Sequence, residues 1–254
     1  MEKNCSYSRK KKGGKLYLIE YFMNKKTIYK SYIKFYEADS VNLDYIDDIF
    51  NEKEWNYLNL QNGKRTIEAK KSLYFGKKAI MEFLDIGLDE IKNVSLLKGV
   101  FGQPIIVNNL FLLMNMNIGI SITHTDKTFG ILIFDQLHPM GIDIETKTKN
   151  DSEFLETYLT ESEKKMIKDS EGLLSKEIFF SAKESLSKIL KTGLTSPLEI
   201  YEISKVEMDQ DNISLFYRNF PQYKSTVVLV NDEIRSVTFP INSTKIIEGE
   251  YQWN

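Results

Sequence analysis

The five residues GIDIE, Gly141–Glu145, set two carboxylates one residue apart at the end of an apolar run. In an extended strand side chains alternate faces, so Asp143 and Glu145 point one way while Ile142 and Ile144 point the other. Like charges roughly 6–7 Å apart on one face repel unless something positive lies between them. A lysine, bulk water or a metal ion would each serve. One reading ends the strand at the surface, its acids facing the lysines of TKTK at 146–149. The other makes it half of a cation site completed from elsewhere in the chain.

Working outward, strand-like runs occupy 104–107, 118–123, 128–134 and 140–145, and two more, KLYLIEYF and TIYKSYIKFY, open the chain. Between them the spacing predicts a helix over 66–84, with Ala69, Leu73, Ile80, Phe83 and Leu84 on one stripe and Lys71 and Lys78 opposite. Beyond GIDIE, Thr160 and Glu163 form a capping box at a helix start. A longer helix runs from Leu173 to Leu190 and stops near Gly193, a favoured C-terminal residue. Strand-like runs at 198–206, 213–217, 226–230 and 234–239 follow. The sum is an α+β chain of helices and mostly antiparallel strands in two batches. The principal helices of the two batches share an echo, EAKKSL at 68–73 and SAKESL at 181–186, which suggests related halves.

Composition narrows the classes. The chain has 254 residues, enough for one large or two small domains, and a formal net charge of −2. That balance argues against nucleic acid or an acidic membrane surface as partner. The densest basic run, Arg9–Lys12, reads as a solvated terminus. A single cysteine, Cys5, makes no internal disulfide and fits a reducing compartment. No apolar segment follows the basic start as in a signal peptide. The most apolar stretch, LFLLMNMNIGISI at 110–122, is broken by asparagines short of a membrane span. The expected location is cytoplasmic.

Four constellations bear chemistry. On the 173–190 helix, Ile178, Ala182, Leu186 and Ile189 form the apolar stripe, and Glu184 and Lys188 stand opposite it, four residues apart. Taken alone that spacing is an ordinary exposed helix pair. Combined with Asp143 and Glu145, Glu184 completes three hard oxygen donors suited to Mg²⁺ and unsuited to zinc, since no Cys or His takes part. In ISITHTDK, Ile120–Lys127, the hydroxyls and His124 can hold phosphate oxygens. Ser121, His124 and Asp126 lie too close in sequence for a hydrolytic triad. The cluster Lys64, Arg65, Lys70 and Lys71 would neutralise a polyanion if it faced the acids. No Walker or Rossmann glycine loop occurs.

GIDIE at 141–145 followed by FSAKESLSK at 180–188, with GQP at 102–104 and SITHT at 121–125 upstream, resembles the ordered motifs of the 4′-phosphopantetheinyl transferases, in their long, two-half branch. The resemblance runs from about Lys64 to Pro197. It implies two pseudo-symmetric α/β halves, 1–136 and 137–254, each a mostly antiparallel sheet packed with a long helix, in an expected monomer. It implies Mg²⁺ on Asp143, Glu145 and Glu184, with Glu184 and Lys188 catalytic. Coenzyme A contacts fall to Lys64, Lys71, Thr123, His124, Lys183 and Lys188. The implied reaction moves the phosphopantetheine arm to a serine of an apo carrier protein, as in activation of peptide or polyketide synthetases. A coenzyme A-binding module without catalysis is the alternative. Phe180 stands where many members have tryptophan, and Gln103 where many have lysine.

Overall fold

The computed structural model describes residues 15–22, 25–43, 46–107, 117–147, 153–209 and 212–248. Cys5, the 9–12 basic run, residues 110–116 of the apolar stretch and 148–149 of TKTK lie outside them. Strands β1 (Lys15–Phe22) and β2 (Lys25–Glu37) lead to helices α1 (Glu52–Asn59), α2 (Lys64–Leu84) and α3 (Leu88–Ile91). Strands β3 (Ser95–Lys98), β4 (Pro104–Val107), β5 (Ile118–His124), β6 (Thr128–Asp135) and β7 (Gly141–Thr146) follow. Helices α4 (Glu153–Glu156), α5 (Glu161–Asp169) and α6 (Lys176–Leu190) precede β8 (Ile203–Asp209), β9 (Asn212–Tyr217), β10 (Tyr223–Val230), β11 (Glu233–Pro240) and β12 (Ser243–Glu248). The expected strand at 198–206 begins instead as a 3₁₀ turn, Leu198–Tyr201, and extends only from Ile203. Pro197 leads into that turn and lacks the amide a strand ladder needs.

Two five-stranded antiparallel sheets, β12-β1-β2-β6-β5 and β7-β11-β10-β9-β8, carry the architecture, with β3-β4 as a separate hairpin. Strand alternation sorts their faces. Tyr32 and Tyr36 of β2 pack toward α2 with Phe75, Ile80, Phe129 and Ile131. Ile33, on the opposite face, joins Leu132, Ile142, Val237 and Phe239 in a core between the sheets. The second sheet covers α6 through Leu215, Val227 and Ile234 against Phe179, Ala182 and Leu186. The layers therefore run helix, sheet, sheet, helix. No helix among the described residues is long and apolar enough to cross a membrane.

The halves repeat one polar device. Asn51 caps α1 and Glu54 closes its capping box. Glu54 Oε2 also accepts from Lys77 Nζ at 2.6 Å, and Oε1 from the Leu96 amide at 2.8 Å. In the second half Thr160 caps α5. Glu163 Oε2 accepts from the Thr160 amide and from Lys183 Nζ at 2.7 Å, and Oε1 from the Ile203 amide at 2.8 Å. All four charged side chains have no exposed surface. Eight residues after each buried lysine the helix ends on a left-handed residue, Asp85 at φ 59° and Lys191 at φ 58°. Lys191 thus performs the stop expected near Gly193. This register pairs Lys183 with Lys77, whereas the echo in the sequence pairs it with Lys70, two helical turns away.

Strand β12 leaves the second batch and pairs with β1. Where it begins, Ser243 Oγ lies 2.6 Å from Nε2 of buried His138, whose ring stacks on Tyr29 and whose Nδ1 has no partner. Burial pushes this imidazole down to about 4. Because the folded value lies below the unfolded one, stability is full above about pH 6.5 and is lost as pH falls toward 4. The contribution lost by pH 5 is about 2 kcal/mol. Urea titrations at pH 7.5 and pH 5 on wild type and His138→Gln are expected to show that loss only in the wild type. Equal losses in both proteins would remove His138 as its source.

Candidate active site

Strand β7 and helix α6 meet so closely that a Cβ on Gly141 would lie 2.0 Å from the Ser185 carbonyl oxygen. That contact needs glycine, and it brings the polar face of α6 onto the acids of β7. Lys188 Nζ donates to Asp143 Oδ1 at 2.7 Å and to the Ile142 carbonyl at 2.9 Å. Thr123, on β5 of the first sheet, donates to the same Oδ1 at 3.0 Å. Asp143 is 4% exposed, and its second oxygen, Oδ2, is buried with no hydrogen-bond partner.

The surrounding acids are under electrostatic pressure. Burial first, then Asp143 and Glu184, push the Glu145 carboxyl up to about 8, with Lys188 opposing. Burial and then Asp143 raise Glu184, against Lys188 and the Ser187 hydroxyl. Lys188 alone therefore leaves a deficit of positive charge. An orphaned carboxylate oxygen beside two carboxyls held above their usual range is the donor chemistry of a hard divalent cation, with oxygen ligands only. Among the described residues no group of three or more acid, imidazole or thiolate side chains is gathered into a ready metal site. A cation held beside Asp143 would need water and substrate oxygens to complete its shell.

A cavity of about 490 Å³ opens beside this cluster, walled by Gln103, Ile106, Ile120, Met140, Glu184 and Lys188. A second, of about 300 Å³, is lined by Tyr57, Arg65, Glu68, Ser72, Lys98 and His124. Gly102, Pro104 and Ile122 line both, so the two adjoin; together they make a trough with Glu184 and Lys188 at one end and Arg65, Lys98, Glu68 and His124 at the other. His124 keeps an exposed edge while its ring stacks on Phe129 at 5.0 Å, and desolvation there lowers its pKa. A neutral imidazole at that place offers one donor and one acceptor.

The structure sorts the expected residues. Asp143, Glu145, Glu184 and Lys188 come together, and His124 stands at the far end of the trough. Lys183 does not reach it. Five residues before Lys188 on an α-helix means about 140° of rotation, and its ammonium is sealed against Glu163 and the Tyr158 carbonyl. A coenzyme contact through Lys183 is replaced by this core pair. Lys64 projects into solvent beside Glu68, and Lys71 pairs with Asp39 at 3.5 Å. Neither lines the trough. Arg65 and Lys98 do, and were not singled out beforehand: Arg65 was visible only as one of a basic cluster, and Lys98 carried no signal. Thr123 is 6% exposed, its hydroxyl engaged within the protein. Ser121 Oγ is also buried, accepting the Ile142 amide at 3.3 Å. Phe180 packs edge-on against Tyr158, and Gln103 Oε1 accepts the Phe101 amide.

The helix register shows how the charges differ at the matching place in the first half. In the first half Lys78 and Glu82 take the places of Glu184 and Lys188. Lys34, opposite the fourth residue of β6, takes the place of Asp143, opposite the fourth residue of β11. The Lys34–Glu82 pair, 3.7 Å apart, is the charge-reversed image of Asp143–Lys188. Lys78 lies over the rings of Tyr36 and Tyr74. Two ammonium groups there repel any cation.

Residues 139–238, which span β7, α6 and β11 almost to its end, match the family model described as the 4′-phosphopantetheinyl transferase superfamily. No curated protein matches the chain.

Proposed function

We propose that this chain, whose residues 139–238 match the 4′-phosphopantetheinyl transferase superfamily model, moves the phosphopantetheine arm of coenzyme A onto a serine of an apo carrier protein. The observation that carries the reading is Asp143 Oδ2, buried, unpartnered and flanked by two acids of raised pKa at the head of a trough with a basic far end. Asp143, Glu145 and Glu184 would hold Mg²⁺, which supplies charge neutralisation at the pyrophosphate when bound.

The remaining chemistry falls to the chain. Arg65, Lys98 and His124 receive the anionic nucleotide end. The apolar wall of Ile106, Ile120 and Met140 suits the pantetheine arm. The carrier serine oxygen bonds to the β-phosphorus as the bond to the bridging oxygen breaks, releasing 3′,5′-ADP. Glu184, directly or through water, takes the serine proton. Lys188 spends two of its three donors on Asp143 Oδ1 and the Ile142 carbonyl. The third is left for the oxygen on which charge develops. The two-half build supports carriers of peptide or polyketide synthetases as acceptors, and a monomer.

The test is to incubate the protein with several apo carriers, coenzyme A and Mg²⁺ and weigh the carriers by mass spectrometry. Gain of one phosphopantetheine arm is expected, abolished by EDTA and by Glu184→Ala. No gain on any carrier, with coenzyme A still bound, would favour a non-catalytic coenzyme-binding module.

A further inference from the structure

Strand β7 is the outer strand of its sheet, bonded to β11 along one edge only. The other edge presents the backbone groups of Ile142 and Ile144, which in a buried setting need partners. Among the described residues no strand supplies them. Ser121 Oγ accepts the Ile142 amide at 3.3 Å, Thr123 Oγ1 accepts the Ile144 amide at 3.2 Å, and Lys188 covers the Ile142 carbonyl between them. Ser121 and Thr123 are two apart on β5, so both point at β7, and the two hydroxyls match the two-residue repeat of its open edge. Thr123 serves twice, since its own proton goes to Asp143 Oδ1. With Oδ1 held by Thr123 and Lys188, the carboxylate is fixed and Oδ2 is the oxygen left over.

We propose that Ser121 and Thr123 are positioning residues: their hydroxyls seal the open edge of β7 and so orient Asp143, and Thr123, which lines neither cavity, does not act by touching coenzyme A. This rests on the transferase reading for its consequence in activity. The seal itself does not depend on that reading.

The test uses full-length wild type, Ser121→Ala, Thr123→Val and Thr123→Ser. Amide exchange by NMR is expected to speed at least tenfold at Ile142 in Ser121→Ala and at Ile144 in Thr123→Val. Protection at β10–β11 amides should stay at the wild-type level, which excludes general unfolding. Mn²⁺, bound as a paramagnetic probe of the acids, is expected to bind at least tenfold more weakly to Thr123→Val. In the transfer assay that variant should lose at least tenfold in kcat, with KM for coenzyme A within twofold of wild type. Thr123→Ser, which keeps the hydroxyl, should recover most of the protection and of kcat. Unchanged exchange at both amides overturns the seal. A raised KM with normal kcat makes Thr123 a ligand contact and overturns the positioning role. If the wild type itself transfers nothing, the transferase reading falls, and exchange and Mn²⁺ binding still decide between seal and no seal.

Discussion

Asp143→Asn is expected to lower kcat/KM for phosphopantetheine transfer by about 100- to 1000-fold, the loss of roughly 3–4 kcal/mol of transition-state stabilisation. The amide keeps the size of the side chain and an oxygen for Thr123 and Lys188. It removes the charge, however, and can turn an NH₂ group toward the position of Oδ2, the unpartnered oxygen. Stability should change little, because the loss of the Lys188 pair is offset by relief of repulsion on Glu145 and Glu184. Melting temperature and transfer rate measured on the same preparation check both parts. More than a tenth of wild-type activity in the variant would return the acids to the role of surface groups.

The second large effect lies a few residues away and has the opposite character. Lys183→Met is expected to destabilise the fold by about 3–5 kcal/mol, since it strands the fully buried Glu163 carboxylate without its counter-charge. Adding Glu163→Gln should restore part of that loss, because the remaining amide can still serve the Thr160 or Ile203 amides without a bare charge. Lys188→Met, by contrast, removes a partly exposed ammonium and should cost far less stability while suppressing transfer. Urea midpoints for the three variants, with carrier mass gain, separate the two lysines. Comparable destabilisation by Lys183→Met and Lys188→Met would show that the 0% exposed pair is not the stronger anchor.

Legibility differed by element. The capping box at Thr160–Glu163 and the strand at 104–107 appear as expected, the strands expected at 118–123 and 140–145 appear at 118–124 and 141–146, and the helices expected at 66–84 and 173–190 run over 64–84 and 176–190. The echo between the two principal helices suggested related halves, and its register differs from the one in which the buried Lys–Glu pairs match. Short patterns of alanine, lysine and leucine recur at every helical turn, and only the caps and the buried Lys–Glu pairs fix which turn matches which. The basic cluster at 64–71 was legible as a cluster, yet only Arg65 of its members lines the trough, because a helix shows a cavity one narrow stripe.

By itself the sequence determined that Asp143 and Glu145 share one face of a strand and that Glu184 and Lys188 share one face of a later helix. Alternation and helical pitch dictate which side chains share a face, and they are properties of the local chain. Whether a given face meets solvent, another half or a cleft depends on what packs across from it. Tertiary structure therefore decided that Lys188 meets Asp143 while Lys183 is sealed against Glu163, that Lys34 and Glu82 form the charge-reversed pair in the first half, and that Ser121 and Thr123, rather than a neighbouring strand, receive the amides on the open edge of β7. A strand edge must be satisfied by something, and only the fold says by what.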